Sequence, residues 1–249
     1  MADEVARSLL SNLASLKTQR QTWESHWQEV ADFVVPRKAD VTKSRSSGDK
    51  RSELVFDGTA IHAAELLSAS LHGMLTSAAT SWFSLRYRDE ELNSDDEAME
   101  WLQGVEDVMY KAFNRSNFQE QIHELYHDLI TFGTGVMFID KDDAQQLRFS
   151  TRHIKECYLS EDDKGRVDTI YREFKMPLRA AQKRFGEEKF TSKVLQKAQN
   201  NPYAQITLVH AVFERDDRDP IKITSENKPF ASIYIEPEEK IVLSESGFD

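Results

Sequence analysis

The chain has 249 residues, of which 39% are hydrophobic and 30% charged, and its formal net charge is −11. Few glycines and prolines exclude a disordered or fibrous chain, and the acidic balance excludes a protein that grips nucleic acid over a broad surface. The single cysteine, Cys157, allows no intramolecular disulfide and indicates folding in a reducing, intracellular compartment. The sequence predicts neither a signal peptide nor a membrane span.

The first predicted element is a long amphipathic helix over residues 3–34, ended by Pro36. Its seam alternates steps of four and three residues and has one polar member, Arg20; the positions are Leu9, Leu13, Leu16, Arg20, Trp23, Trp27, Val30 and Val34. A seam of this kind is typical of a helix that packs on its own domain or against a neighbouring subunit. Both interpretations stay open at this point.

A polar, serine-rich segment follows at residues 36–53, and its composition predicts a mobile loop. Six basic side chains in it are candidates for contact with DNA or a neighbouring subunit: Arg37, Lys38, Lys43, Arg45, Lys50 and Arg51. Such a charge run favours a solvated linker, and the alternative is an arm that touches a phosphate backbone or an acidic subunit.

Three further helices and one strand are predicted before residue 133. A helix rich in Ala, Ser and Gly covers 58–78, with Asp57 as N-cap, and its small residues favour a buried or interface position. Residues 82–88, WFSLRYR, predict a short strand. A capping box of Ser94 and Glu97 predicts the start of a helix that continues to Phe113, and another helix covers 117–132 and ends at Gly133.

The remaining chain is predicted to be mainly β. The strands are expected at 135–140, 146–151, 157–160, 166–174, 205–214, 222–224, 231–237 and 240–246, with turn signals between them at 140–143, 161–165 and 215–220. A helical insertion is predicted at about 177–200, with Pro177 in its first turn and Gly186 ending its first half. The fold class is therefore α+β, with a mainly helical part at 1–140 and a β-rich part at 141–249.

The stretch HELYH, residues 123–127, fits the H-E-x-x-H pattern, in which two imidazoles one helical turn apart bind zinc and the glutamate is the general base. Helical phasing places the packing face elsewhere, at Phe118, Ile122, Leu125, Leu129 and Ile130. The following chain supplies no third ligand, and the longer metzincin pattern fails because Ile130 stands where glycine is required. His123 and His127 are therefore rejected as metal ligands and are expected on a polar face, exposed or touching a neighbouring subunit.

Other catalytic patterns are missing from the sequence. It contains no P-loop, no G-x-G-x-x-G and no G-x-S-x-G, and Cys157 lies in a predicted strand as a packed thiol. The sequence therefore predicts no catalytic residues and no cofactor, and it favours a protein that is not an enzyme.

Four stretches, at 20–37, 55–92, 98–143 and 165–186, together resemble one family. They include a tryptophan-bearing helix ending in Pro-Arg, an Asp-x-Thr-Ala opening that leads through an alanine-rich helix into Trp-Phe-x-Leu, and Ser-Asn-Phe followed by Leu-Ile-Thr-Phe-Gly-Thr-Gly. Their order and spacing resemble those of the portal, or head-to-tail connector, proteins of short-tailed, T7-like bacteriophages.

This resemblance implies a structural subunit of the virion, in the wing region of a portal. Such subunits form a ring, usually a dodecamer, at one capsid vertex, and the ring assembles in the cytoplasm of the bacterial host. The terminase packages double-stranded DNA through the ring without sequence recognition, and the DNA is later ejected through it. The implied partners are other copies of the chain and the terminase, capsid, scaffold and tail adaptor proteins, with no membrane.

The resemblance also implies that relatives continue well beyond residue 249. The stem, clip and crown of a portal subunit are therefore expected to be absent from these 249 residues, which correspond to the N-terminal portion. Two other functions remain as alternatives. One is a zinc-dependent hydrolase that uses HELYH, and the other is a cytoplasmic adaptor that binds partner helices through the seam from Leu9 to Val34.

Overall fold

A computed structural model describes residues 2–215, 219, 221–222, 224 and 227–248. Within these residues the helices are α1 Ala2–Val34, α2 Thr59–Leu75, α3 Asp96–Arg115, α4 Phe118–Phe132, α5 Leu178–Phe185 and α6 Ser192–Asn200. The strands are β1 Val136–Asp142, β2 Gln146–Arg152, β3 Cys157–Glu161, β4 Val167–Pro177, β5 Gln205–Glu214, β6 Phe230–Glu236 and β7 Ile241–Phe248. Helices dominate the N-terminal half and strands the C-terminal half, so the predicted α+β class is confirmed. The predicted turn at 215–220 lies largely outside the described residues. Of the predicted strand at 222–224, Lys222 and Thr224 are described and lie in no strand.

The chain divides into two compact units, which are described separately. A sheet unit comprises residues 1–23 and 155–249, and a helical unit comprises residues 24–154. This division differs from the one expected at residue 140 for two reasons. The first part of α1 packs on the five-stranded sheet, and the β1–β2 hairpin packs on α4.

The sheet unit is built on five antiparallel strands in the order β3-β4-β5-β6-β7. Apolar side chains of α1 (Ala6, Leu9 and Leu13) cover one face, where Val209 and Ala211 of β5 are fully buried. The helices α5 and α6, inserted between β4 and β5, cover the other face around Leu208. Side chains alternate between the two faces of a strand, and helices cover both faces of β5. This explains why most residues of β5 are apolar, on both faces.

The first half of the α1 seam packs within its own unit. Leu9 and Leu13 are buried in the sheet unit. The polar member, Arg20, donates a hydrogen bond to the carbonyl of Lys155 at 2.9 Å and also binds the carbonyl of Cys157. These side chains are therefore occupied, and the adaptor alternative, which needs the whole seam free for a partner helix, gains no support.

The helical unit contains α2, α3, α4 and the β1–β2 hairpin. Gly133, with φ of +74°, ends α4 as predicted, because glycine adopts the left-handed conformation at low cost. The unit is centred on an aromatic cluster in which the Trp82 and Phe118 rings stack at 5.5 Å between centroids. Phe149 of β2 meets Phe118 edge-on, so the cluster fixes the start of α4 against the hairpin.

The predicted strand at 82–88 is wrong. These residues form no strand, because side chains of α3 bind the backbone groups that a neighbouring strand would otherwise have paired. The Tyr110 hydroxyl accepts hydrogen bonds from the backbone N–H groups of Trp82 and Phe83, and the carboxylate of Glu106 accepts one from Leu85. An aromatic, β-prone sequence therefore forms no strand when side chains of a helix satisfy its backbone.

The predicted capping box of Ser94 and Glu97 is also wrong, because Ser94 is not the N-cap. The helix α3 begins at Asp96, and Asp95 is the N-cap, because its carboxylate accepts the Glu97 N–H at 3.0 Å. Ser94 lies in a short 3-10 turn before it. At α2 the Asp57 carboxylate accepts a hydrogen bond from the Thr59 N–H at 2.8 Å, so Asp57 supports the helix start although Gly58 holds the cap position.

The Asn117 side chain at the start of α4 gives a first testable prediction. It donates to the carbonyl of Phe149 and accepts from the N–H of the same residue, both at 2.9 Å, while Phe149 is 2% exposed. Asn117→Ala leaves two buried backbone groups unpaired, so we expect a loss of about 1–3 kcal/mol in the free energy of unfolding, measured by urea denaturation. The exposed Asn114 provides the matched control, Asn114→Ala, and an equal loss in both variants would contradict the assigned role.

Candidate functional site

The HELYH stretch lies in α4, and its two histidines differ in burial. The side chain of His123 is 34% exposed, whereas His127 is only 1% exposed as a residue. The expectation that both lie on an exposed or subunit-facing side is therefore wrong for His127. Helix α2 packs against α4, and its small buried residues Ala64 and Ser68 allow a close approach. Phasing located the apolar stripe of α4 but not this second, polar contact face.

A cluster of polar side chains surrounds His127 between α2 and α4. Its Nε2 atom lies 3.2 Å from a carboxylate oxygen of Glu65, and the His123 Nε2 atom lies 3.9 Å from the other oxygen. Within the described part of the chain neither ring nitrogen of His127 makes a hydrogen bond, so the Glu65 contact has a short distance but a poor direction. Burial lowers the pKa of His127 and outweighs the attraction of Glu65, which favours the neutral imidazole.

His72, in the last turn of α2, joins this cluster. Its ring centre lies 5.6 Å from that of His123, and its Nε2 atom is 2.6 Å from the side-chain oxygen of Gln119. Three imidazoles are thus neighbours, but they do not converge on one point. Among the described residues, no group of three or more His, Cys, Asp or Glu side chains is placed to hold a metal ion, so the zinc-hydrolase alternative gains no support.

The first two candidate basic residues bind the same helix. Lys38 pairs with Glu124 at 2.5 Å and also with Asp128, and Arg37 pairs with Glu124 at 2.7 Å. Burial raises the pKa of Glu124, but the hydrogen bonds from Lys38 and Arg37 prevail and hold it below its usual value. Glu124, the residue that a zinc hydrolase would use as general base, is therefore an ion-pair partner in this structure.

Asp128 is the most deeply buried carboxylate of this network, and sequence reasoning missed it. It is 1% exposed, and its second oxygen has no hydrogen-bond partner in the described part of the chain. Burial raises its pKa to about 6, against the opposing effect of Lys38. The signal was present in the sequence, because Asp128 is a charged residue immediately before the apolar pair Leu129 and Ile130.

Three more candidate basic residues pair with carboxylates near the segment itself. Lys43 lies 2.6 Å from Asp32, and Arg45 and Arg51 both lie 2.8 Å from Asp40. Burial alone raises the pKa of Asp40, but hydrogen bonds from the two guanidinium groups lower it overall. Five of the six candidates are therefore engaged inside the chain, which leaves Lys50 as the exposed one without an ion pair among the described residues.

Backbone contacts also hold this segment, which the composition predicts to be mobile. The buried Gln28 donates to the carbonyl of Ala39 at 2.8 Å and accepts from the N–H groups of Thr42 and Lys43. One side chain of α1 thus binds three backbone groups of a stretch that has no regular structure beyond the turn at Pro36–Lys38. Together with the ion pairs, Gln28 gives the segment a defined path.

The helix α2, expected to be buried or at an interface, has only Ala64 and Ser68 buried among its residues. Its outward side presents large apolar side chains: Leu66 is 60% exposed and Met74 is 74% exposed. The expectation of burial within this chain is therefore wrong, and the alternative of an interface stays a prediction. The small residues do permit close packing, but only along the side that faces α4.

Asp128 also gives a prediction about pH. The folded state keeps a proton on this residue up to about pH 6, whereas the unfolded chain releases it near pH 4. Protonation therefore favours the folded state, and this advantage is lost as the pH rises from about 4 to about 6. We expect the unfolding free energy of the wild type minus that of Asp128→Asn to fall by up to about 3 kcal/mol between pH 4 and pH 7.

Urea denaturation at several pH values measures this difference. The lowered pKa of His127 makes the unfolding free energy of both proteins rise with pH, opposite to the effect of Asp128. This contribution cancels when the unfolding free energy of the variant is subtracted from that of the wild type. The control is Asp107→Asn, because this side chain is exposed and water screens its interactions, so removing it should change the unfolding free energy less than Asp128→Asn does. A difference that does not change with pH for Asp128→Asn would contradict a raised pKa.

Comparison with known proteins connects this architecture to one family. The sequence matches the profile of the family described as bacteriophage head to tail connecting protein over residues 6–249. It is 32% identical over 253 residues to the "Probable portal protein" of Bordetella phage BPP-1 and 33% identical over 253 residues to the "Portal protein" of Salmonella phage epsilon15.

Both alignments cover 100% of this chain and 46% of the relative, so the chain spans about half the length of these curated relatives. The match to the family profile takes in the HELYH helix, the basic segment and both units. The chain belongs to the bacteriophage head-to-tail connecting protein family.

Proposed function

We propose that this chain is the wing portion of a phage portal subunit, a structural protein that forms a ring at one capsid vertex. The observation that carries the proposal is the family match along residues 6–249, supported by two portal proteins aligned with the whole chain. In the proposed assembly, DNA enters through the ring during packaging by the terminase and leaves through it at ejection. The ring is a dodecamer, in line with the resemblance.

The electrostatics of the chain support a ring that surrounds DNA without gripping it. The formal net charge of −11 opposes broad contact with phosphates. The basic segment at 36–53 is largely neutralised, because the carboxylates of Asp32, Asp40 and Glu124 pair with its cations. The six basic residues remain candidates for contact with DNA or a neighbouring subunit, and among them Lys50 is exposed and has no ion pair within the described residues.

We also propose that the chain has no catalytic activity of its own. The pair of HELYH histidines gives no support to hydrolysis, since His127 is buried under α2 and Glu124 is held by Lys38 and Arg37. Energy for packaging then comes from the terminase. The further proposed partners are capsid, scaffold and tail adaptor proteins, with assembly in the host cytoplasm and final residence in the virion. Among the described helices none is long and apolar enough to cross a membrane.

Electron microscopy of the full-length gene product tests this function. We expect closed rings with a central channel, and mass measurement should give a multiple of the subunit mass close to twelve. The double variant His123→Ala, His127→Ala offers a control for the rejected chemistry, since it should form the same rings if it folds. A full-length product that remains monomeric at every concentration would overturn the proposal.

A further inference from the structure

The outward side of α2 is an apolar stripe that nothing in its own unit covers. Leu66, Leu67 and Met74 are 60%, 49% and 74% exposed. With Ala63 and Ser70 they follow the spacing i, i+3, i+4, i+7 and i+11, which places all five on one side of a helix. We call these five residues the α2 stripe. The helix has no lysine or arginine and one acidic residue, Glu65, which turns toward His127 instead.

The helix α3 carries a second exposed apolar stripe. Trp101 and Val108 are each 63% exposed, and Gly104, Val105 and Ala112 lie on the same side of the helix. We call these five residues the α3 stripe. A Cβ atom at Gly104 would have no other atom within 4 Å, so the stripe has an open recess between its two protruding side chains. The opposite side of α3, with Leu102 buried, faces its own unit.

The size of the α2 stripe fits a protein interface. Leu66, Leu67 and Met74 together expose roughly 350 Å² of mostly apolar surface, which is more than one isolated side chain exposes and lies in the range of functional patches. A stable interface buries about 800 Å² per partner, of which a little over half is apolar, or roughly 450 Å². The α2 stripe supplies most of an apolar area of this size.

The two stripes are complementary rather than alike. The α2 stripe is uncharged and protrudes through Leu66, Leu67 and Met74, whereas the α3 stripe has a recess at Gly104 beside a large ring, Trp101. Glu100 and Asp107 flank the middle of the α3 stripe, and Lys111 lies one turn beyond Asp107. Pairing α3 with itself would bring these acidic side chains together beside the Gly104 recess, whereas the five residues of the α2 stripe are uncharged. Shape and charge therefore favour α2 against α3.

We propose that the α2 stripe of one copy of this chain packs against the α3 stripe of the next copy. The inference rests on the proposed function, because a ring requires two different patches on each subunit that meet head to tail and close by rotation. Two exposed, mutually complementary helix surfaces on one chain provide such a pair. Trp101 and Met74 are then the anchors, as aromatic and large flexible side chains are at other interfaces.

Cysteine cross-linking tests the contact in the full-length protein. Cys157 is the only cysteine of these 249 residues and is buried, and any cysteine elsewhere in the full-length protein is first changed to serine, so that the introduced cysteines dominate the reaction. We expect that a mixture of Met74→Cys and Val108→Cys subunits gives covalent dimers with a short bis-maleimide, and that neither variant does so alone. The double variant, with both cysteines on one chain, should give a ladder of higher oligomers that ends at the ring.

Charge variants give a second measurement. Leu67→Glu with Met74→Glu should weaken association at least about a hundredfold, measured by mass photometry on dilution, because two charges would be buried in an apolar contact. The matched control is Val167→Glu, since Val167 is similarly exposed, at 56%, but lies on β4 in the other unit. Circular dichroism confirms that each variant folds, as expected for changes at exposed positions.

The outcomes separate this contact from the ring itself. A wild type that forms no rings contradicts the proposed function. If rings form but Met74→Cys and Val108→Cys subunits do not cross-link, only the α2–α3 contact is overturned. The same holds if the Leu67→Glu, Met74→Glu variant forms rings as stable as those of Val167→Glu. Cross-linking by Met74→Cys alone would also overturn it, because it would indicate that two identical surfaces meet.

Discussion

The pairing of Lys38 with Glu124 and Asp128 is the interaction on which the helical unit depends. A carboxylate as buried as that of Asp128 is costly to charge, and its cationic partner Lys38 comes from the segment that follows α1. The same lysine also binds Glu124, which in turn binds Arg37. The chain leaving α1 is thereby fixed on α4, and the basic segment follows a defined path where its composition alone predicts a mobile linker.

This network changes the meaning of the HELYH motif. Glu124 is engaged by two cations, and His127 is covered by α2 and favours its neutral form. The residues that would perform zinc chemistry are instead the residues by which α4 holds the 36–53 segment on one side and α2 on the other. A short motif specifies residue types at a spacing, and packing determines whether they converge on a ligand or on the rest of the protein.

The sequence predicted most of the fold, because periodicity and turn chemistry are local. The long α1, the end of α4 at Gly133 and the β-rich half follow from spacing, glycine and β-branched residues that act within a few positions. The errors occur where distant side chains decide. Residues 82–88 form no strand because Tyr110 and Glu106 bind their backbone, and His127 is buried because Ala64 and Ser68 of another helix allow close approach. Neither contact leaves a trace in the local pattern.

The same distant contact connects the buried cluster to the proposed assembly surface. Small residues and Glu65 on one side of α2 hold that helix against α4, so the larger residues on its other side, such as Leu66 and Met74, must face outward. A helix with mean apolar character would otherwise bury its largest side chains within its own unit. In the proposed ring there is a physical reason why α2 turns its small residues inward and its large apolar residues outward. The small side serves folding of the subunit, and the large side is reserved for the neighbouring copy, where its burial stabilises the assembly rather than the monomer.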